Sequence, residues 1–155
     1  MTPAQIAILR PVVQAEPSLA QAVLTGQDNV IAAWLNALAV PPFIVWKTSI
    51  TKNQVGEAMN SAEVGGLTTA NTNRLMVMQA YSEAFNPSRA DTRAGFDGVF
   101  AGAGGVLTRA ALLALYKRSA TRAEKVLAVG NGLDATPATM TFEESVTIEQ
   151  AGLMR

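Results

Sequence analysis

Apolar residues recur every three or four positions along most of the chain, the period of a helix with one buried face. Thr2-Pro3-Ala4-Gln5 reads as a capping box with proline at the first helical position, followed by Ile6, Leu9 and Val13. Pro11 lacks an N–H, so this helix is expected to kink or end near Arg10. A second short helix starts at Pro17-Ser18 and stops at Gly26. Asp28 is the expected cap of a third, whose broad apolar face holds Val30, Ile31, Trp34, Leu35 and Leu38 until Pro41-Pro42 ends it.

The period changes to that of a strand over residues 43–50, where Phe43-Ile44-Val45-Trp46 leads a β-branched and aromatic run. Thr51 and Gln54 then form a second capping-box pattern, opening a helix to about Met59. Residues 60–67 read as a loop. A longer helix starts at Thr68 or Thr69, with Leu75, Val77, Met78, Tyr81 and Phe85 apolar. Asn86-Pro87-Ser88 breaks it and caps a helix over 89–101. Helices over 106–118 and 122–129 follow, separated by Ser119-Ala120-Thr121, and Asn131-Gly132 makes a turn. A second strand is expected over 138–144 and a last helix from Thr147.

The fold class is therefore mostly α, with one small two-stranded β element made by residues 43–50 and 138–144. Neither strand has another partner in the sequence, and their backbone groups need one. Residues 1–40 form an N-terminal helical segment set off by the stiff Pro41-Pro42 joint, and 43–155 the main domain. The segment either packs on a neighbouring subunit as an arm or folds back and buries Trp34. Residues 46–56 echo 142–152, sharing Ser, Thr, Gln and Gly in place. The echo fits either a duplicated unit or reuse of one cap chemistry.

Composition narrows the chemistry. The 155 residues contain no Cys and no His. Disulfides, thiol nucleophiles, imidazole bases and zinc sites built on those ligands are excluded. Glu143 and Glu144 are adjacent in an expected strand and point to opposite faces, so they cannot serve one site together. Gly102-Ala103-Gly104-Gly105 follows a helix where a dinucleotide loop needs a strand, and reads as a helix joint. The chain is expected to be no enzyme and to use no cofactor or metal. No stretch approaches the roughly 20 apolar residues of a membrane span, and no targeting segment is read in the first ten residues.

Charge is sparse, at 15% of residues, and balanced overall with 12 basic and 12 acidic side chains. It is unevenly placed. Residues 85–125 hold seven Lys/Arg against three Asp/Glu, net +4, and residues 126–155 are net −3. Such a division suits an interface between copies, an internal ion-pair set or solvated faces. It argues against nucleic acid, because aromatic residues do not interleave with the arginines in a binding pattern. The candidate interaction residues are Trp46, Arg89, Arg93, Arg118, Arg122, Glu143 and Glu144. The four arginines sit at or near helix breaks, where a guanidinium can bond orphan carbonyls or carboxylates. Arg118 or Arg122 is expected to meet Glu143 or Glu144.

The order of Phe43-Ile44-Val45-Trp46-Lys47-Thr48, Asn86-Pro87-Ser88-Arg89-Ala90, Ala120-Thr121-Arg122-Ala123-Glu124-Lys125 and Thr136-Pro137-Ala138-Thr139-Met140-Thr141-Phe142-Glu143 resembles a family of small tailed-bacteriophage and prophage proteins from the structural, tail-side gene region. The resemblance covers nearly the whole chain. Glu144 departs from it, standing where the pattern has Gly. It implies a phage structural virion protein: a neck, adaptor or tail-associated component, made in the host cytoplasm and located in the virion. Its partners would be itself, in an oligomer such as a ring, and other phage structural proteins. The alternative is a non-virion phage protein that binds a partner, either a tail-assembly chaperone or an inhibitor of a host defence system. The resemblance carries no catalytic residues.

Overall fold

The computed structural model describes residues 1–80 and 82–155. Tyr81, expected on an apolar helix face, lies outside the described residues. In chain order, α1 (Pro3–Ala15), α2 (Ala20–Thr25) and α3 (Asp28–Asn36) lead to β1 (Ile44–Trp46). Then come β2 (Ile50–Thr51), α4 (Lys52–Ala58), α5 (Ser61–Gly65), α6 (Thr69–Ala80), β3 (Ala84–Phe85), α7 (Ala90–Val99) and α8 (Val106–Leu115). β4 (Lys117–Ser119), α9 (Arg122–Leu127) and α10 (Ile148–Gly152) come last. The protein is mostly α with small β elements.

Among the described residues, four helices start on a reciprocal capping box, which fixes their first turns locally. Thr2 pairs with Gln5, Thr51 with Gln54, Thr121 with Glu124 and Thr147 with Gln150. Asn60 caps α5, a helix where a loop was expected, by accepting from Ala62 and Glu63 N–H. Pro11 does not end the first helix, which runs on to Ala15. Gln27, not Asp28, precedes α3, and Asp28 lies in its first turn, 2.9 Å from Arg155 Nε. The echo between 46–56 and 142–152 holds at the caps of α4 and α10. It does not extend to a strand before α10.

The chain forms two compact units. Unit 1 is Met1–Val45 with Ser119–Arg155, and unit 2 is Trp46–Arg118. The division expected at Pro41-Pro42 is therefore not the one observed. Residues 1–40 share a core with the C-terminal segment: Leu9, Val13, Leu19, Ile31 and Leu35 bury against Ala123, Leu127, Phe142, Val146 and Met154. The reason is apolar arithmetic. Three short amphipathic helices cannot close a core alone, and α9 and α10 supply the missing wall. Asn36 fastens it, donating to Val146 O at 2.9 Å and accepting from Val146 N–H at 2.8 Å.

Unit 2 is built around Phe96 and Phe100, with Ile50, Val55, Leu112 and Tyr116. Phe85 meets Phe96 edge to face at 5.1 Å. β2 pairs antiparallel with β3, Ile50 opposite Phe85.

The strand pairing corrects the sequence reading. β1 lies within 43–50 as expected, but its ladder partner is β4, in a segment read as the end of a helix. Ala120 N–H donates to Phe43 O and Lys47 N–H to Tyr116 O, each at 2.8 Å. Residues 138–144 form no strand. They touch β1 through one parallel bridge, Val45 with Ala138, while Thr139 bridges Val129. Pro137 after the bend at 134–136, and further bends at Thr141 and Glu144, leave too little straight chain for a ladder. Among the described residues no single helix is long and apolar enough to cross a membrane. Ala90–Val99 and Ala103–Leu115 meet that length and composition only together, across a 116° bend.

Candidate functional site

Unit 2 carries a cleft of about 510 Å³ lined by Trp46, Arg93, Asp97, Gly102, Arg109, Leu113 and Tyr116, with Ala101 at the side. Helical spacing delivers most of these groups. Arg93, Asp97 and Ala101 follow one another by four along α7 and its end. Arg109, Leu113 and Tyr116 fall at i, i+4 and i+7 along α8. Trp46 enters from the end of β1.

Both guanidiniums are held by neighbours. The Arg93 guanidinium lies over the Trp46 ring, 4.1 Å from its centroid, and donates to Pro87 O. The Asn86 side chain shapes that break by accepting from Ser88 N–H at 2.9 Å and Ser88 Oγ at 2.6 Å. Arg109 donates to Phe100 O and to Gly102 O, the latter at 2.9 Å, and so closes the end of α7. Gly102 turns the chain at φ 79°. Gly105 passes against Phe100, where a Cβ would overlap its carbonyl. Glu63 then receives the N–H groups of Leu107 at 2.9 Å and Thr108 at 2.7 Å, capping α8 from another helix.

Tyr116 is 3% exposed, and its hydroxyl is buried with no hydrogen-bond partner among the described residues. Burial pushes the phenol well above the usual tyrosine range, and the Asp97 charge adds to this while Arg93 opposes it. The hydroxyl therefore stays protonated and is an unused donor at the cleft wall. An unmade buried hydrogen bond costs about 1–3 kcal/mol, so a group able to accept that bond would be held there. Two guanidiniums, one hydroxyl and one carboxylate beside an indole suit recognition of a polar group on a larger partner.

Unit 1 has a smaller groove of about 400 Å³ along Glu16, Trp34, Val40, Arg122 and Lys125. Arg122 repeats the cleft's device in it. Its guanidinium lies 4.6 Å from the Trp34 ring centroid and donates to Trp34 O at 3.3 Å. Glu16 is tied into its own turn, held below the usual carboxylate range by the Ser18 hydroxyl and N–H.

Of the residues singled out in the sequence, the structure brings Trp46 and Arg93 together. Arg89 is exposed and pairs with Asp91, whose carboxyl the guanidinium holds down at about 2. Arg118 lies half-buried on β4, away from the cleft lining, and Glu143 is exposed in unit 1. Glu144 is 3.9 Å from the Met1 amino nitrogen. The expectation that arginines at breaks bond carbonyls holds for Arg93 and Arg122. It extends to Arg109 and to Arg10, which donates to Leu153 O at 2.7 Å. Sequence reading missed Asp97, Arg109 and Tyr116. The i, i+4, i+7 spacing was the available signal, but it also describes an ordinary core stripe.

No protein-family model, curated protein or solved structure matches the chain.

Proposed function

We propose that the chain is a structural component of a tailed-bacteriophage particle, at the neck, an adaptor or the tail, working through contacts with its own copies and with other phage structural proteins. One observation carries the assembly reading: large apolar side chains stand in water around cores that are already filled. Leu24 is 82% exposed, Val40 76% and Val129 67%. Apolar surface of this kind marks contact sites on soluble proteins. The low charge content acts in the same direction, since charge is what keeps a surface solvated and unpaired. The phage setting rests on the sequence resemblance. Mass spectrometry of purified virions tests the reading. The chain is expected in the particle, in six, twelve or a related number of copies. Its absence from the particle overturns the reading and leaves a non-virion binding protein.

A further inference from the structure

The unit 2 cleft holds donors and acceptors that its own residues leave incomplete. Arg93 spends Nη1 on Pro87 O, and Arg109 spends Nη1 on Phe100 O and Gly102 O. A guanidinium carries further N–H donors, so both arginines keep some for another acceptor. Asp97, one turn after Arg93 on α7, is exposed, and among the described residues no ion pair or hydrogen bond ties it to either arginine. The Tyr116 hydroxyl is a donor that burial denies to water and that no described residue satisfies. Arg93 and Asp97 both act electrostatically on that hydroxyl, which places the three groups at one part of the cleft.

Polarity, surface and size together define what fits. The guanidiniums and the protonated Tyr116 hydroxyl offer donors, whereas an ionised carboxylate such as Asp97 only accepts. The occupant must therefore carry atoms that both accept and donate, as hydroxyl groups do. An anion does not, and it would meet the Asp97 carboxylate while the arginines already face backbone carbonyls. Ala101, Leu113 and the Trp46 side chain give the same cleft an apolar wall, suited to the C–H face of a ring. The volume of about 510 Å³ lies within the roughly 300–1,000 Å³ of small-ligand sites. A lone hydroxyl or carboxamide would leave most of it empty.

We propose that the cleft binds a neutral saccharide unit, with one hydroxyl accepting from Tyr116 and its neighbours accepting from Arg93 or Arg109 and donating to Asp97. The C–H face of the sugar ring lies against Leu113 and Trp46. Only an oxygen pressed against the cleft wall reaches the buried Tyr116 hydroxyl, so that bond forms in a seated complex and not in loose adsorption. Unit 2 supplies every one of these groups. The site therefore goes beyond the assembly reading and does not depend on it.

Nuclear magnetic resonance of the full chain, labelled with nitrogen-15, tests it. The chain is titrated in separate experiments with glucose, galactose, mannose, N-acetylglucosamine and inorganic phosphate. At least one sugar is expected to give saturable shifts at the Trp46 indole N–H and the Gly102 amide, with a dissociation constant near the millimolar range. The Trp34 indole, in unit 1, should not move. Asp97→Asn should weaken binding by about tenfold and Tyr116→Phe by about fivefold. Tyr116→Phe should do so without lowering the melting temperature, a separation that a purely structural tyrosine would not give. Circular dichroism checks that each variant is folded, and Asp97→Asn, on an exposed site, keeps the test open if Tyr116→Phe is not. No saturable shift with any of the sugars overturns the proposal. So does saturation by phosphate alone, which would make the cleft an anion site. Sugar binding that neither substitution weakens also overturns it, because the sugar then sits elsewhere. Whether the chain is found in virions bears on the phage-particle reading alone.

Discussion

The Asn36 carboxamide bonds both backbone groups of Val146, 110 residues further along the chain. It does for one residue of an irregular segment what a strand partner would do, and it ties the end of α3 to the entry of α10. Replacing Asn36 by Ala leaves the N–H and C=O of a buried residue unmet. We expect a loss of about 1–3 kcal/mol, seen as a drop of several degrees in melting temperature. An unchanged melting temperature would show that water replaces the amide.

Residues 1–40 form half of the unit 1 core. Leu35 is fully buried among Leu9, Val13, Met154 and their neighbours. Leu35→Ala should cost about 2–5 kcal/mol in denaturant unfolding. Deleting residues 1–40 should unfold α9, α10 and their connections, read as loss of amide protection over 119–155. A truncated chain with that segment still protected would restore the independent-arm view.

Tyr116→Phe removes a buried hydroxyl that has no partner among the described residues. In the unassembled chain this should be neutral or stabilising by about 1 kcal/mol. A substantial loss of stability would mean that the hydroxyl is already bonded in the free protein.

Glu63 caps α8 through two backbone N–H groups. Partial burial raises its pKa, but the hydrogen bonds from Thr108 and Leu107 outweigh that, and the net position is below the usual carboxylate range. A depressed folded-state pKa gives stability that is present above the unfolded value and lost as pH falls through the folded one. Glu63→Gln should therefore melt lower than wild type at neutral pH, and the difference should shrink in acid. A difference that is constant with pH would remove the charge from the explanation.

Gly105→Ala places a methyl group into the Phe100 carbonyl. The backbone must shift at the joint that Arg109 closes, at a cost of about 1–3 kcal/mol. Gly104, with open space around it, is the control: Gly104→Ala should leave the melting temperature nearly unchanged.

What the sequence determined by itself is local. A threonine three residues before Gln or Glu closes a capping box whatever surrounds it, so the starts of α1, α4, α9 and α10 were legible. So was Gly26 at the end of α2, where φ is 70°. The Trp46–Arg93 pair was legible only as two candidates, because their meeting depends on a strand end and a helix 47 residues apart. Tertiary structure decided the rest. A two- or three-residue strand such as β4 has no period to read, and Lys117-Arg118-Ser119 is extended because β1 lies beside it. Residues 138–144 have strand composition but no room for a ladder, so propensity yields to geometry there. Which helices share a core is set by which apolar faces can close on one another. That is why residues 1–40 complete their core with α9 and α10, and why the cleft residues Asp97, Arg109 and Tyr116 come together only in the fold.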